Sequence, residues 1–206
     1  MCSEIVADAR LTKPIVKLTT AEHMIAPSYS FHNGDQGISL EHDSDGAGRG
    51  IAIHRALDLM SRSPPLTADQ TRQQIRQESM LANDADLENW LDEACRTLNN
   101  KNFESVFEPA GYSKVMNELP VLYRHNNQSV YGVIDRLIIS DDDILLIDYK
   151  THQVENETEL KKLADSFKNQ IHLYINGVQK LWTGLNIKSG LLFTHSARLV
   201  WMDDLA

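Results

Sequence analysis

Two aliphatic runs, each carrying a carboxylate where a buried strand would carry a hydrocarbon, constrain this chain more than any other feature. The first is SVYGVIDRLIIS, residues 129–140; the second is DILLIDYKT, residues 143–151. Runs of β-branched and aliphatic residues bounded by turn formers read as strands, and Asp141, Asp142 and Asp143 are good turn residues. An antiparallel pair closed at those aspartates brings Asp135 beside Asp148. Side chains two apart on a strand share a face, so Asp148 and Lys150 project together. Two carboxylates and an ammonium then converge on an otherwise aliphatic surface. Burying such charges is costly unless they pair or bind a metal. Adjacent carboxylates form a natural nest for a hard divalent cation such as Mg²⁺. A lysine beside such an ion can orient or help deprotonate a water and stabilise charge developing on a phosphate. A structural ion pair between Asp148 and Lys150 at a strand end explains the D-x-K spacing equally well at this point.

The remaining patterns supply a frame for that hairpin. KVMNELPVLYR, residues 114–124, is a third strand, separated from the next by His-Asn-Asn-Gln, so an antiparallel meander of three is expected. Upstream, Ile53, Leu57 and Met60 recur at helical spacing within residues 50–61. Thr67 and Gln70 form a capping-box pattern that opens a second helix running to about Leu81. Asn83 or Asp84 can cap a third, with Leu87, Leu91, Ala94 and Leu98 as its apolar stripe. Downstream, Leu160, Leu163, Phe167, Ile171, Tyr174 and Val178 mark one long helix from about Glu157 to Trp182, which Gly184 can end. Two short strands close the chain. The order ααα-βββ-α-ββ predicts an α/β domain with a central mixed sheet flanked by helices. Residues 1–45 show no sustained period, and the run HNGDQGISLEHDSDGAG reads as loop or linker, so residues 46–206 are expected to hold the domain.

Charge and cysteine usage narrow the function. The formal net charge is −9, which argues against strong autonomous grip on a polyanion and suggests that a partner or further domain helps hold one. Cys2 and Cys95 belong to no C-x-x-C pair, so a thiolate zinc site or iron–sulfur cluster is not expected. There is no phosphate-cradling G-x-x-x-x-G-K-[ST] loop, so the chain is no ATPase or helicase by itself. No apolar stretch is long enough to cross a membrane and no secretory signal opens the sequence, which predicts a cytoplasmic protein without membrane contact.

G-V-I-D (Gly132 to Asp135) followed by I-D-Y-K-T (Ile147 to Thr151) resembles the nuclease motif of the PD-(D/E)XK superfamily, whose fold is restriction-endonuclease-like. The nearest likeness is to the RecB/AddA branch, the C-terminal nuclease of helicase–nuclease (exonuclease V-like) enzymes. Three further matches lie outside that segment. Gly50-x-x-x-His54-Arg55-x-Leu57 resembles the upstream helix motif whose histidine ligates the metal. Glu118-Leu119-Pro120 resembles the strand motif that places an acidic residue at the site. Gln170-x-x-x-Tyr174 resembles the Q-x-x-x-Y motif, at a spacing that puts both side chains on one helical face. The chain departs from the branch at Phe167, where Tyr is frequent, and at Asp58, where Glu is frequent; neither touches the metal set.

The resemblance implies a nuclease using Mg²⁺ or Mn²⁺, with His54, Asp135, Asp148 and the Tyr149 carbonyl as ligands. Lys150 would activate water, Glu118 would bind metal or position that water, and Gln170 and Tyr174 would contact the DNA backbone or brace Lys150. It further implies single-stranded DNA ends as substrate, in double-strand-break repair and recombination, beside a UvrD/RecB-like helicase module in the same or a partner chain. Without it, His54 reads as a boundary residue, Glu118 as a solvent-facing edge residue and Tyr174 as plain core. An RNA nuclease, or a silent nuclease fold that only binds DNA or braces a helicase, are the alternatives.

Overall fold

The computed structural model describes residues 24–26, 44–78 and 84–202. They form strand β1 (Met24–Ile25), helices α1 (Ser44–Ser61), α2 (Ala68–Glu78) and α3 (Asp84–Leu98), and a 3₁₀ turn leading into the single-turn α4 (Glu104–Phe107). Strands β2 (Lys114–His125), β3 (Gln128–Ile139) and β4 (Asp143–Lys150) follow, then α5 (Glu157–Ser166), α6 (Lys168–Leu181), β5 (Asn186–Phe193) and β6 (Arg198–Trp201).

The meander folds where its turn chemistry allows. Asn126 and Asn127 both adopt positive φ (49° and 62°) between the paired His125 and Gln128, the two-residue reversal that asparagine tolerates best. At the next turn the Asp143 N–H donates to Ser140 Oγ, and the Ser140 N–H donates to the Asp143 carbonyl. Beyond the meander the sheet turns mixed: β5 runs parallel to β4, joined by the α5–α6 crossover, and β6 pairs antiparallel to β5.

Helices cover both faces of this sheet. On one face α1, α3 and α4 bury Ile53, Leu57, Leu91 and Val106 against Ile138, Leu145, Ile147 and Leu192. On the other, α5 and α6 bury Leu160, Phe167, Ile171 and Tyr174 against Leu137, Ile144, Leu146 and Leu191. β4 keeps the alternation of the pleat: odd positions from Leu145 to Tyr149 face α1, while Ile144 and Leu146 face α6. The capping box expected at the second helix is formed in both directions, by Thr67 N–H with Gln70 Oε1 and by Gln70 N–H with Thr67 Oγ1.

Outside the candidate site, the structure differs from the sequence reading in three places. The long helix is two helices, because the Phe167 N–H tightens onto the Ala164 carbonyl and turns the buried Phe167 ring inward. The helix start is earlier: Ser44–Gly48, read as loop, belongs to α1, whose Gly48 is buried and whose Arg49 is gripped by Glu93 of α3. Met24–Ile25, read as linker, adds a strand parallel to β3. Apart from Ala26, the other residues of that linker reading before Ser44 lie outside the described residues, as does Asn83. No described helix is long and apolar enough to cross a membrane.

Candidate active site

Every candidate residue lies where β3 and β4 part. β4 pairs with β3 from Ile144 to Ile147 and then follows β5 alone as far as Lys150, opposite Phe193. On the far side of the opening, β1 occupies the same edge of β3 at Ser129 and Val130, since β2 holds the other edge there. The Asp135 carboxylate fills the break: its Oδ2 accepts the Tyr149 N–H at 2.5 Å, replacing the ladder bond that the strands no longer make.

Strict alternation would aim Asp135 toward α6, with Leu137 and Ile139. Instead Ile134 and Leu137, three apart, both enter the α6-side core, and on β2 Met116 and Leu119, also three apart, do the same. Asn117 and Arg136, paired across the ladder, both turn to α1, bonding Ser61 Oγ at 3.0 and 2.8 Å. The two strands therefore shift phase together. Register survives, with Asn117 opposite Arg136 and Leu119 opposite Ile134, but the intervening Glu118–Asp135 step makes no regular bridge. Glu118 bears the distortion, at φ 48°, a region costly for a side chain other than glycine. The result delivers Glu118 and Asp135 to the α1 side, where His54 lies.

His54 Nδ1 lies 3.2 Å from Asp135 Oδ1. His54, Glu118 and Asp135 each offer a ligand atom, all within 4.8 Å of one another. An ion with nitrogen and oxygen ligands at about 2.1 Å spans up to about 4.2 Å between opposite donors, so this set fits one cation after small side-chain adjustment. Asp148 and Lys150 keep the pleat and stay on the α6 side, paired at 2.7 Å. The expected single face carrying both carboxylates is therefore replaced by a site that reaches through the opening between the strands.

The electrostatics tie the two halves together. Burial alone would lower the His54 imidazole, but the Asp135 charge and hydrogen bond, with Asp148 behind them, raise it. Burial would raise Asp135, but His54 and the Tyr149 N–H hold it below the usual carboxylate range. Asp148 is raised, by burial first and by Asp135 repulsion, against the pull of Lys150. Glu118 is pushed up to about 7, by desolvation first and then by Asp135. A divalent cation removes such carboxylate strain outright.

Lys150 is held from three sides. Besides Asp148, its Nζ donates to Gln170 Oε1 at 2.9 Å and sits 3.9 Å above the Phe167 ring. Gln170 Nε2 in turn donates to Tyr174 OH at 3.3 Å. The glycine of the G-V-I-D run now has a reason: a Cβ at Gly132 would lie 2.6 Å from Tyr174 Cε1. Tyr149 packs its buried ring against Phe107 and edge-on to His54, so its main chain lies at the seam of the site. Sequence reasoning missed Arg136, fully buried and bonded to the Val106 carbonyl, Ser61 Oγ and Asn117 Oδ1. An arginine inside an aliphatic strand run was the available signal.

The profile of the PD-(D/E)XK nuclease superfamily matches residues 28–200. An ATP-dependent helicase/nuclease subunit of Clostridium botulinum (strain Alaska E43 / Type E3) is 37% identical over 76 residues, 37% of this chain and 6% of that protein. Its counterpart in Thermoanaerobacter sp. (strain X514) is 25% identical over 168 residues, 71% of this chain and 13% of that protein. The chain thus spans only about a tenth of the length of such relatives. With a match that covers residues 28–200, most of its length, the chain belongs to the PD-(D/E)XK nuclease superfamily.

Proposed function

We propose that this chain hydrolyses DNA phosphodiester bonds with Mg²⁺ or Mn²⁺, acting on single-stranded ends beside a helicase module in the same or a partner chain. The observation that carries the reading is the joining of the His54–Glu118–Asp135 ligand set to the Asp148–Lys150 pair through the β3–β4 opening. His54, Asp135 and Asp148 would hold the ion, with the Tyr149 carbonyl as a further ligand and Glu118 binding it or orienting the attacking water. A divalent cation held there would supply Lewis-acid chemistry: polarisation of the phosphate, a more acidic water and charge to offset the leaving oxygen. Lys150, fixed by Gln170 and by the Phe167 ring, presents its amine to the attacking water or to a phosphate oxygen. Tyr174 braces Gln170, and so the amine, from the next turn of α6. The acidic balance of the chain supports a division of labour in which the helicase module supplies most of the grip on DNA.

The test is digestion of end-labelled single-stranded DNA with Mn²⁺, beside Asp148→Ala and Lys150→Gln, with RNA of the same sequence in parallel. Cleavage of DNA is expected, falling at least about 100-fold in either variant, as loss of a positioned charge does elsewhere. Cutting that persists in Asp148→Ala, or that prefers RNA, defeats the assignment. Tight DNA binding with no cleavage at any Mn²⁺ concentration would mark a silent nuclease fold instead.

A further inference from the structure

Beyond the ligand cluster, the α1-side face of the β2–β3 hairpin carries an apolar surface that no described helix covers. Val121 and Tyr123 point to α6, where Tyr123 OH donates to the Leu173 carbonyl, so Leu122 between them points away. Gly132 lies against Tyr174 of α6, so its neighbour Tyr131 also points away. Leu122 and Tyr131 are cross-strand partners and remain 72% and 44% exposed. Exposed Met24 flanks them on β1, opposite Ser129, and exposed Arg124 continues the row on β2. After the phase shift this is the face onto which Glu118 and Asp135 open. Four residues of strand separate Glu118 from Leu122, roughly 13 Å at about 3.3 Å per residue.

We propose that this face is a binding track for unpaired nucleic-acid bases, with Tyr131 and Leu122 as the stacking platform and Arg124 taking a phosphate at its far end. The inference rests on the nuclease reading and names the part of the substrate next to the scissile bond. Three observations favour that occupant. Only the Pro120–Val133 pair lies on this face between the Leu122–Tyr131 pair and the Glu118–Asp135 step of the carboxylate cluster. The aromatic residue of this face, Tyr131, is exposed, and such a ring offers a π-face to any base, whereas a duplex keeps its base faces covered. A net charge of −9 leaves little electrostatic grip, so apolar stacking supplies the local affinity, and the exposed Arg124, whose Nη2 also donates to the Asn127 carbonyl, marks the strand's direction.

The full 206-residue chain is titrated into fluorescein-labelled oligothymidylate in low salt with EDTA, so that cleavage does not intrude, and anisotropy is read. Tyr131→Ala is expected to weaken binding about tenfold or more, and Tyr131→Phe to stay within about twofold, because the ring and not the hydroxyl stacks. Tyr131 is exposed, so the thermal midpoints of both variants stay near that of the parent chain. The proposal is overturned if the parent chain does not bind the oligonucleotide, if Tyr131→Ala binds as tightly as the parent, or if a blunt duplex binds equally with the same Tyr131 dependence. A dimer in sedimentation that Leu122→Asp dissolves would assign the face to a second copy and also overturn it. The two readings fail separately. Tyr131-dependent binding without Mn²⁺ cleavage removes the catalysis and keeps the track; cleavage with Tyr131-independent binding does the reverse.

Discussion

Gly132 and Glu118 show how the site constrains single positions from opposite directions. At Gly132 the constraint is space: the buried Tyr174 ring lies where a Cβ would go. Gly132→Ala is expected to cost about 2 kcal/mol, the scale of overpacking in a close-packed interior. Combining it with Tyr174→Leu should recover part of that loss in urea denaturation, whereas equal losses in both proteins would refute the steric account. At Glu118 the constraint is chemistry held against the backbone's preference, at φ 48°. Glu118→Gly removes the steric penalty of that conformation and is expected to raise stability by about 1 kcal/mol while weakening Mn²⁺ binding. A destabilised variant would show that the backbone there is not under strain. The residue types of Asp135, Asp148 and Lys150 were legible from the sequence because charge inside an aliphatic run has few explanations. The role of Gly132 was not, since nothing in a glycine announces which ring needs its space.

Between elements, the paired phase shift of β2 and β3 is what brings a helix histidine to a strand carboxylate. Arg136 secures it from behind, joining β3 to the end of α1, to α4 and to β2 through its bonds to Ser61, Val106 and Asn117. Arg136→Met removes those bonds and strands two acceptors, the Val106 carbonyl and Asn117 Oδ1, so a loss of about 3 kcal/mol is expected, read by thermal or denaturant unfolding. A change under about 0.5 kcal/mol would show that the strands shift phase without it. Helix content was readable from spacing and caps, as at Thr67 and Gln70, because those signals are local. The break at Phe167 was not, because its apolar stripe continues through the break and only the contact with Lys150 on another element reveals why the ring turns inward. The coordinated shift was invisible for a related reason: periodicity reports one strand at a time, and this irregularity keeps register by occurring on two.

For the whole molecule, folding, protonation and ion binding are linked through the same cluster. Glu118 has a folded pKa raised to about 7, and His54 is raised as well. A raised folded pKa means that the folded state binds the proton more tightly, so the stability it lends is present at low pH and lost as pH rises through the folded value. Asp148 is raised and acts in the same direction, while lowered Asp135 withdraws its contribution only in acid. Without divalent ions, the melting temperature is therefore expected to fall as pH rises from about 5 to about 7.5. Mn²⁺ reverses this, because ligation needs deprotonated carboxylates and a neutral imidazole. At 100 times its dissociation constant it should add about 2.7 kcal/mol. A metal-induced rise in melting temperature that is the same at pH 5.5 and pH 8 would contradict this linkage. By itself the sequence determined the mixed α/β architecture, the family's motifs and the residue types of the site, because hydrophobic period, turn chemistry and buried charge are written locally. Only the tertiary structure decided which face of the sheet each carboxylate serves, where the strands part and which side chains hold the lysine, because those outcomes depend on packing between residues far apart in the chain.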